Sequence, residues 1–436
     1  MIRLFNRSEN FNTYGQPAVV MLFCGVRIAG FYFVYLSFKR GVTLINANME
    51  RLGKKSSIIR EIFEYGKKRK AEIGEENVFD FSLGNPSIPC PDKVNETIIS
   101  FLKNNDAVSI HGYTSASGDY SVKSKIAESI NRRFSVAAKP ENIYITCGAA
   151  ASLTITLKAV ANPEDEVIIL APFFPEYKVF TENCGAIPVV VKCRQSDFQI
   201  DFEALNAAIN NKTKAIIINS PNNPSGAVFP EDDIKKLSKI LSEKEKEYGT
   251  EIFIIADEPY RELSYGLDVP YIPKFYHNTI VCYSYSKSLS LPGERIGYIF
   301  VSPNADASSD ISAAVAGAGR SLGFVCAPSL MQYTIKECVD ITSDISAYKA
   351  NRDLLYTALK DYGYSAIRPD GAFYLFVKSP EPNAVAFCER AKKYELLLVP
   401  SDDFGVEGYV RISYCVSAEQ IKRSLPAFKK LIEERI

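Results

Sequence analysis

One lysine of this sequence, which follows a run of apolar residues, is a candidate for covalent chemistry. Lys287 lies in the segment Tyr283-Ser-Tyr-Ser-Lys-Ser-Leu-Ser, directly after a strand-like run. Ligands of open α/β sheets bind at the carboxyl ends of strands, and a desolvated amine there can form an imine with an aldehyde. Arg295, eight residues on, offers a planar guanidinium suited to a phosphate dianion. Taken alone, a lysine in such a place is more often a solvated surface residue.

Two further polar segments also follow apolar runs. Asp257 is in Ile254-Ile-Ala-Asp-Glu-Pro-Tyr260, and a carboxylate at a strand end can keep a pyridine nitrogen protonated. It can equally cap a helix or form a salt bridge. Tyr260 can reach a phenolic oxygen on the same ring. Asn223, in Ser220-Pro-Asn-Asn-Pro-Ser-Gly226, can bond that oxygen too, although the segment is also an ordinary tight turn.

A fourth segment is suited to bind phosphate. Tyr144-Ile-Thr-Cys-Gly-Ala-Ala-Ala-Ser-Leu153 leads from a strand into a helix that starts with small residues. Free amides of Gly148, Ala149 and Ala150 at that helix start would bind an anion, though small residues there also serve close packing. The run Pro172-Phe-Phe-Pro-Glu-Tyr177 follows the next strand and places an aromatic side chain where a flat ring can stack.

In sequence and in chain order, these segments resemble the motifs of the class I/II aminotransferases of the aspartate aminotransferase superfamily, fold type I enzymes that use pyridoxal 5′-phosphate (PLP). The resemblance runs from about residue 56 to the carboxyl terminus. It implies that Lys287 is the Schiff-base lysine and the proton shuttle, and that Asp257 pairs with the pyridine nitrogen. Tyr260 and Asn223 would hold the ring oxygen. The remaining cofactor residues that it implies are Gly148, Ala149, Ala150, Ser284 and Arg295 for the phosphate and Phe174 for the ring face.

The same resemblance implies residues for the substrate and for a partner subunit. Arg411, on an alternating stretch near the carboxyl end, would hold the substrate α-carboxylate together with Asn223, whereas an arginine in such a strand usually faces solvent. Gly84 and Asn85 resemble the loop that closes over that carboxylate. Tyr113 resembles the tyrosine that reaches the phosphate of the neighbouring subunit. A homodimer with shared active sites is therefore expected.

Signals for side-chain specificity are fewer. Ala150 stands where some aspartate-specific relatives have a lysine, which counts against aspartate as the substrate. Arg320 is a candidate contact for a distal carboxylate, although a surface or structural arginine is the commoner interpretation. Phe373 and Tyr374 are expected to line the pocket and to admit apolar or aromatic side chains.

The elements that must position these residues follow an α/β pattern. Ser56–Lys70 has apolar residues three to four apart, which predicts an amphipathic helix. Strand-like runs, apolar on both faces, then alternate with helical ones and predict a mainly parallel seven-stranded sheet between helices. These runs are Ile143–Thr146, Glu166–Leu170, Ala186–Val191, Ala215–Ile218, Ile252–Ala256, Ile280–Tyr283 and Ile296–Val301.

We expect two domains and an amino-terminal extension. Residues 99–328 form the predicted large PLP-binding domain, and residues 49–98 with 329–436 form a smaller α+β domain built from both chain ends. Within the latter, a long helical stretch is predicted over Ser329–Tyr362, followed by strands near Phe373–Val377 and Tyr409–Tyr414 and a terminal helix. Residues 1–48 are predicted to take no part in the fold.

The extension raises the question of a membrane. Pro17–Phe38 is almost wholly apolar, a length that also suits a membrane anchor or a signal sequence. Arg27 in its middle would cost about 3 kcal/mol or more at the bilayer centre. Membrane attachment is therefore disfavoured.

Composition narrows the function class further. The 436-residue chain has 51 basic and 51 acidic side chains, so no overall field attracts nucleic acid. Its ten cysteines form no CxxC pair and are accompanied by only two histidines. This pattern favours reduced thiols in a cytoplasmic protein and gives no sign of a metal site.

The predicted function is therefore a PLP-dependent aminotransferase that moves an amino group from an L-amino acid to a 2-oxo acid, with 2-oxoglutarate the expected acceptor, by a ping-pong mechanism. A PLP-dependent carbon–sulfur lyase, or other α-carbon chemistry, would use the same cofactor residues and stays an alternative. A PLP-binding transcriptional regulator is less favoured, because the first 48 residues contain no convincing helix-turn-helix and little basic clustering.

Overall fold

The computed structural model describes residues 20–28, 31–39, 45–54 and 57–434. The chain up to Ser57 forms a compact unit of its own. This unit contains the antiparallel strands β1 (Val20–Ile28) and β2 (Phe31–Lys39) and the helix α1 (Ala47–Lys54). Most of the apolar segment Pro17–Phe38 thus lies in two paired strands, and residues 17–19, 29 and 30 fall outside the described ranges. Among the described residues, no helix has both the length and the apolar character needed to cross a membrane.

The second compact unit begins at Ile58. Its first elements are α2 (Ile58–Ile73), β3 (Phe79–Asp80), α3 (Asp92–Asn104), α4 (Ala107–His111) and α5 (Tyr120–Phe134). The side chains of Asp106 and Asp119 accept backbone N–H groups in the first turns of α4 and α5, which satisfies donors that a helix start leaves unpaired. The predicted amphipathic helix is confirmed as α2.

Strands and helices alternate through the middle of the chain. In order they are β4 (Ile143–Thr146), α6 (Ala149–Val160), β5 (Glu166–Ala171), α7 (Glu176–Asn183), β6 (Ile187–Lys192), α8 (Phe202–Ala208), β7 (Thr213–Asn219), α9 (Glu231–Tyr248), β8 (Phe253–Asp257), β9 (Thr279–Ser284), α10 (Tyr285–Ser288) and β10 (Gly297–Val301). They form a seven-stranded sheet in the order β4-β10-β9-β8-β7-β5-β6. Only β10 runs against its neighbours. The predicted fold class and all seven predicted strands are confirmed.

Burial on both faces explains why these runs form strands. Along β8, successive residues such as Ile254 and Ile255 point to opposite faces and belong to two different hydrophobic clusters, one on each side of the sheet. β-branched side chains are favoured in such strands because they pack well on a pleated surface. Helices cover both faces, as expected for a mainly parallel sheet.

The register of the sheet brings the carboxyl ends of the strands β7, β8 and β9 together. Asn219, the last residue of β7, lies opposite Asp257, the last residue of β8. Asp257 in turn lies opposite Cys282 of β9, two residues before Ser284 ends that strand. Side chains that follow these three strands therefore share one crevice, where open α/β sheets bind their ligands.

The last part of the chain contains α11 (Ser308–Leu322), α12 (Ser329–Cys338), α13 (Ser346–Asp361), β11 (Ser365–Ala366), β12 (Tyr374–Lys378), α14 (Ala384–Ala391), β13 (Leu396–Leu397), β14 (Val399–Pro400), β15 (Tyr409–Ser413) and α15 (Ala418–Glu433). The long helical stretch predicted over Ser329–Tyr362 is interrupted. Between α12 and α13 lies a segment rich in Asp, Thr and Ser, and Asp344 accepts the N–H of Ser346. Such side chains compete with helical hydrogen bonds.

Two smaller sheets complete this unit, and the two-stranded one joins its beginning to its later part. Strands β11, β12, β15 and β14 form one antiparallel sheet, while β3 pairs in parallel with β13. Phe81 N donates to Leu397 O at 3.0 Å, and Phe81 O accepts from Ser413 N at 2.9 Å. These contacts join Phe81 to the late strands β13 and β15. The small domain made from residues 49–98 and 329–436 stays a prediction. The division from a large domain over residues 99–328, like the extension over residues 1–48, also stays a prediction.

Candidate active site

A cleft at the carboxyl ends of β7, β8 and β9 gathers most of the side chains singled out from the sequence. Those that line it are Gly84, Ala149, Ala150, Phe174, Asn223, Asp257, Tyr260, Ser284, Lys287, Arg295 and Arg411. Gly148 lies beneath the cleft wall, and Asn85 and Tyr113 are exposed outside it. Arg320, on α11, does not line it either. The cleft therefore joins segments that are far apart in the sequence.

Asp257 has an environment that opposes its ionisation. It is buried, and burial raises the pKa of its carboxyl to about 7, with the neighbouring Glu258 acting in the same direction. The hydroxyl of Tyr177 donates to Oδ2 at 2.5 Å and works against this shift. Asn219 Nδ2 also approaches Oδ2, at 3.4 Å. Oδ1 is buried and receives no hydrogen bond from the described residues.

Lys287 lies in α10, immediately after β9. The helix starts at Ser284, whose side chain accepts the N–H of Ser286. Lys287 Nζ donates to Gly84 O at 2.7 Å. Burial lowers the pKa of this amine to about 8, because desolvation disfavours the ammonium form. A sizeable fraction is thus uncharged just above neutral pH, which is the form that attacks an aldehyde.

The anion-binding end of the cleft is formed where α6 begins. Gly148 has φ of 89°, and a Cβ atom on it would lie 2.8 Å from Arg295 Nη2. Arg295 donates from Nη2 to Cys147 O at 3.2 Å and from Nη1 to Pro292 O at 3.0 Å. Its guanidinium is thereby held beside the first amides of α6, where the helix dipole also favours an anion.

Arg411 lies at the opposite end, on β15. It is buried, and its Nη1 donates to Asn223 Oδ1 at 3.1 Å while Nη2 donates to Ser82 O at 2.6 Å. Its Nε is buried without an acceptor among the described residues. Burial lowers the pKa of the guanidinium, and an unpaired buried donor is costly. A carboxylate is the acceptor that fits a guanidinium edge.

Two residues at the base of the cleft were not recognised in the sequence as functional. Tyr177 and Asn219 both contact Asp257. Tyr177 stands three residues after Phe174 in a segment whose aromatic side chains all seemed suited to stacking. Asn219 ends a strand that must pair with the strand ending at Asp257. Strand register was therefore the signal that could have found it.

Comparison with known proteins decides the family. The sequence profile described as aminotransferase class I and II matches residues 76–428. The chain belongs to this family. Members of the family use PLP, and this chain is a PLP-dependent transaminase. The lyase and regulator alternatives are not favoured by this assignment.

Relatives of known sequence extend over most of the chain. A putative aminotransferase of Bacillus subtilis is 29% identical over 82% of this chain and 92% of its own length. The aspartate aminotransferase of Thermotoga maritima is 28% identical over 86% of this chain and 97% of its own length. A (5-formylfuran-3-yl)methyl phosphate transaminase of Methanocaldococcus jannaschii is 30% identical over 84% and 94%, respectively.

Solved structures agree with these relatives. An aminotransferase from Eubacterium rectale superposes with a TM-score of 0.88 at 55% identity, covering 90% of this chain and 99% of that one. The Thermotoga maritima aspartate aminotransferase superposes with a TM-score of 0.80 at 27% identity, covering 89% and 100%. The architecture of the described residues is therefore that of an aminotransferase.

The residues in the cleft fit PLP. A protonated pyridine nitrogen would supply the donor that Asp257 Oδ1 lacks. Gly148 leaves free the space that a Cβ would take beside Arg295, so the guanidinium can stay beside the first amides of α6. The cleft thus brings together a buried carboxyl group, a cationic cradle and an amine of lowered pKa.

Proposed function

We propose that this transaminase moves the amino group of an L-amino acid to a 2-oxo acid, with 2-oxoglutarate as the acceptor, in a ping-pong reaction. Lys287, Asp257 and Tyr260 are its proposed catalytic residues. The observation that carries the proposal is the pairing of a buried, donor-poor Asp257 Oδ1 with an amine of lowered pKa in the same cleft.

The proposed cofactor residues divide by the part of PLP that they hold. When bound, PLP supplies an electron sink for negative charge at the substrate α-carbon. Asp257 would hold a proton at the pyridine nitrogen, Phe174 would pack on the ring face, and Tyr260 and Asn223 would bond the ring oxygen. The phosphate would be held by Ser284, Arg295 and the backbone at Gly148, Ala149 and Ala150.

Lys287 has two proposed tasks. Its Nζ would hold PLP covalently through the aldehyde group of the cofactor, and as a free amine it would accept the α-proton of the substrate. Both tasks need the uncharged amine, which the lowered pKa of about 8 makes accessible near neutral pH. The position of Nζ beside Gly84 O also keeps it close to the loop that covers the substrate.

Arg411 is proposed to bind the substrate α-carboxylate with the help of Asn223, Gly84 and Asn85. In the structure, the carbonyl oxygens of Ser82 and Gly84 accept from Arg411 Nη2 and Lys287 Nζ. Substrate binding must therefore exchange these contacts, and movement of the loop would then exclude water from the cleft.

The choice of amino donor depends on the side chains that line the cleft. Several relatives carry names with aspartate or prephenate in them. In this chain Ala150 is a small side chain in the cleft wall, and Ile59, Leu83 and Pro292 add apolar surface. We infer that uncharged side chains are accepted. A contact from Arg320 to a distal carboxylate stays a prediction.

A homodimer with shared sites is part of the proposal. Tyr113 is 98% exposed, and Val108 and Tyr120 in the same segment are also exposed. Phe324 and Val325, in a second segment, add exposed apolar surface. The two segments are adjacent, since Cys326 N donates to Ala116 O at 3.1 Å. An apolar patch of this kind favours burial against a second copy. A cytoplasmic location is also proposed, and the nine cysteines from Cys90 to Cys415, which are all free thiols, support it.

A donor screen tests the function directly. Purified protein loaded with PLP is mixed with each of the common L-amino acids and 2-oxoglutarate, and glutamate is measured. We expect glutamate from at least one donor and parallel double-reciprocal plots. Ammonia and pyruvate released without an acceptor would instead indicate a lyase.

Lys287→Ala is the matching variant. We expect turnover to fall by at least about a thousandfold, since the variant loses the covalent carrier and the proton acceptor. Lys239→Ala, which removes an exposed lysine on α9, should leave turnover unchanged. A Lys287→Ala protein that keeps both its visible absorbance and its turnover would refute the assignment.

A further inference from the structure

One tyrosine contacts two of the proposed site residues at once. Tyr374, the first residue of β12, is only 3% exposed. Its Oη lies 2.9 Å from Tyr260 Oη, and its ring centroid lies 4.6 Å from the guanidinium carbon of Arg411. The pairing of β12 with β15 fixes its place, with Tyr374 opposite Ser413. It thus lies between the cofactor end and the carboxylate end of the cleft.

The direction of the hydrogen bond between the two phenols follows from proton counting. Each hydroxyl has one proton, and Tyr260 must use its own to donate to the ring oxygen of PLP. Tyr374 is then the donor to Tyr260 Oη. Burial raises the pKa of Tyr374 to about 12 and that of Tyr260 well above its ordinary value, so both stay protonated at working pH. A phenol that accepts a hydrogen bond becomes a stronger donor.

The ring of Tyr374 has a second role, which concerns Arg411. The guanidinium carbon of Arg411 lies over two aromatic rings, at 4.6 Å from the Tyr374 centroid and 5.2 Å from the Phe404 centroid. Two rings restrict the guanidinium plane and favour its charge through cation–π attraction. The hydroxyl end also abuts the closing loop, because a Cβ on Gly84 would overlap with Tyr374 Oη.

We propose that Tyr374 is a positioning residue for transamination, whose hydroxyl strengthens Tyr260 as a donor to the cofactor and whose ring orients Arg411 for the substrate carboxylate. This inference rests on the roles proposed above for Tyr260 and Arg411. The two tasks are separable: Tyr374→Phe removes only the hydroxyl, and Tyr374→Leu removes the ring as well.

The hydroxyl is tested by titrating the visible absorbance of the PLP-loaded enzyme with pH. A weaker donor stabilises negative charge on the ring oxygen less, so the spectral midpoint should rise in Tyr374→Phe by about 0.3 to 0.5 pH unit. Tyr260→Phe should shift it further. Because Tyr374 acts through Tyr260, adding Tyr374→Phe to Tyr260→Phe should change nothing more. Tyr276→Phe is the matched control, since it removes a buried hydroxyl that donates to Ile252 O at 2.7 Å, outside the cleft.

The ring is tested with propionate, a carboxylate too short to occupy the side-chain pocket. Its dissociation constant from the PLP-loaded enzyme should rise about five- to tenfold in Tyr374→Leu and less than twofold in Tyr374→Phe. Circular dichroism and thermal unfolding check that the leucine variant is folded, and the phenylalanine variant decides the hydroxyl question in any case.

The outcomes separate this inference from the proposed function. Unchanged midpoints in Tyr374→Phe alongside a shift in Tyr260→Phe would overturn the hydroxyl role alone. Additive shifts in the double variant would show that Tyr374 does not act through Tyr260. Equal propionate affinity in Tyr374→Leu and the unchanged enzyme would overturn the ring role. If Tyr260→Phe and Arg411→Lys themselves shift neither quantity, it is the proposed function that fails.

Discussion

Asp257 is a carboxyl group whose position works against its own charge. Its neighbours supply donors to one oxygen, while the other is buried without one. Such an arrangement is costly to the protein alone and becomes favourable when a cationic partner is bound. At the scale of residues, Asp257 therefore lowers the stability of the cofactor-free protein at the position where the proposed chemistry needs a carboxyl group.

Asp257→Asn should show the effect of this carboxyl group on stability separately from its effect on turnover. In the native protein the pKa is raised to about 7, so between about pH 4 and 7 the native state binds more protons than the unfolded state. Stability of the cofactor-free protein then falls with rising pH, by up to about 1.4 kcal/mol per unit. Asparagine does not titrate, so its stability advantage should grow from pH 4 to 7 and stay constant above that.

The measurement is urea unfolding of both cofactor-free proteins at pH 4, 5.5, 7 and 8.5. At the same time Asp257→Asn should lose at least about a hundredfold in turnover, since a neutral amide cannot keep the pyridine nitrogen protonated. Stability curves that run parallel over this pH range would contradict the account of Asp257.

Much of this site was predictable because polar residues in the sequence directly follow strand-like apolar runs. Lys287, Asp257 and Asn223 each follow an apolar run, and their order along the chain matched a known family. Tyr177 and Asn219 were harder to recognise, because their work is to contact Asp257 and not the ligand. Tyr374 was expected only to line the pocket, and nothing in its sequence context shows that it reaches Tyr260.

At the scale of elements, strands and the segments that follow them carry the charged groups of the site. Asp257 lies on β8, Arg411 on β15, and Lys287 on α10 directly after β9. Runs of Ile and Val buried on both faces defined the strands well enough to predict all seven. The break between α12 and α13 was not predicted, because the apolar spacing continues across it while Asp344 and its neighbours end the helix. Local hydrogen bonding there prevails over periodicity.

The start of α6 offers a test at this scale. Gly148→Ala puts a Cβ 2.8 Å from Arg295 Nη2 and adds a side chain at φ of 89°. We expect PLP to bind about ten- to a hundredfold more weakly, because Arg295 is displaced and the backbone is strained. Fluorescence titration of cofactor-free protein with PLP measures this.

Gly317→Ala is the matched control, since it lies on the exposed side of α11 with no atom within 4 Å of a new Cβ. It should leave PLP affinity unchanged and stabilise the helix slightly. Equal affinities of the two variants would show that Gly148 is dispensable for the cradle.

At the scale of the whole molecule, the beginning of the unit that starts at Ile58 pairs with its later part through β3 and β13. The pairing of β3 with β13 was not visible in the sequence, since each strand has only two residues. The placement of Gly84 beside Lys287 depends on it, because Phe81 is held between Leu397 and Ser413.

The proposed dimer makes a prediction that only mixed assemblies can test. Tyr113 is expected to serve the partner's site, so neither Tyr113→Ala nor Lys287→Ala homodimers should bind PLP and turn over normally. In a heterodimer of the two variants, one site has both natural residues. Co-expression with two affinity tags should therefore recover up to about half of the unmutated turnover per dimer.

Co-expressed Lys239→Ala and Lys287→Ala chains are the control for subunit mixing, with the same expected recovery. A Tyr113→Ala and Lys287→Ala heterodimer that stays inactive while this control recovers would place Tyr113 in its own chain's site.

The loop carbonyls of Ser82 and Gly84 have a consequence for how affinity is set. They already accept hydrogen bonds from Arg411 Nη2 and Lys287 Nζ, so an incoming carboxylate that displaces these contacts gains only the difference between its own contacts and theirs. Arg411 Nε, which has no acceptor among the described residues, is the donor that it gains without such an exchange. The loop acts as a built-in competitor of the substrate. Changes far from the cleft, in residues that hold Phe81 against the late strands, can thus loosen or tighten this competition and adjust the working substrate concentration without altering a single residue that touches the substrate.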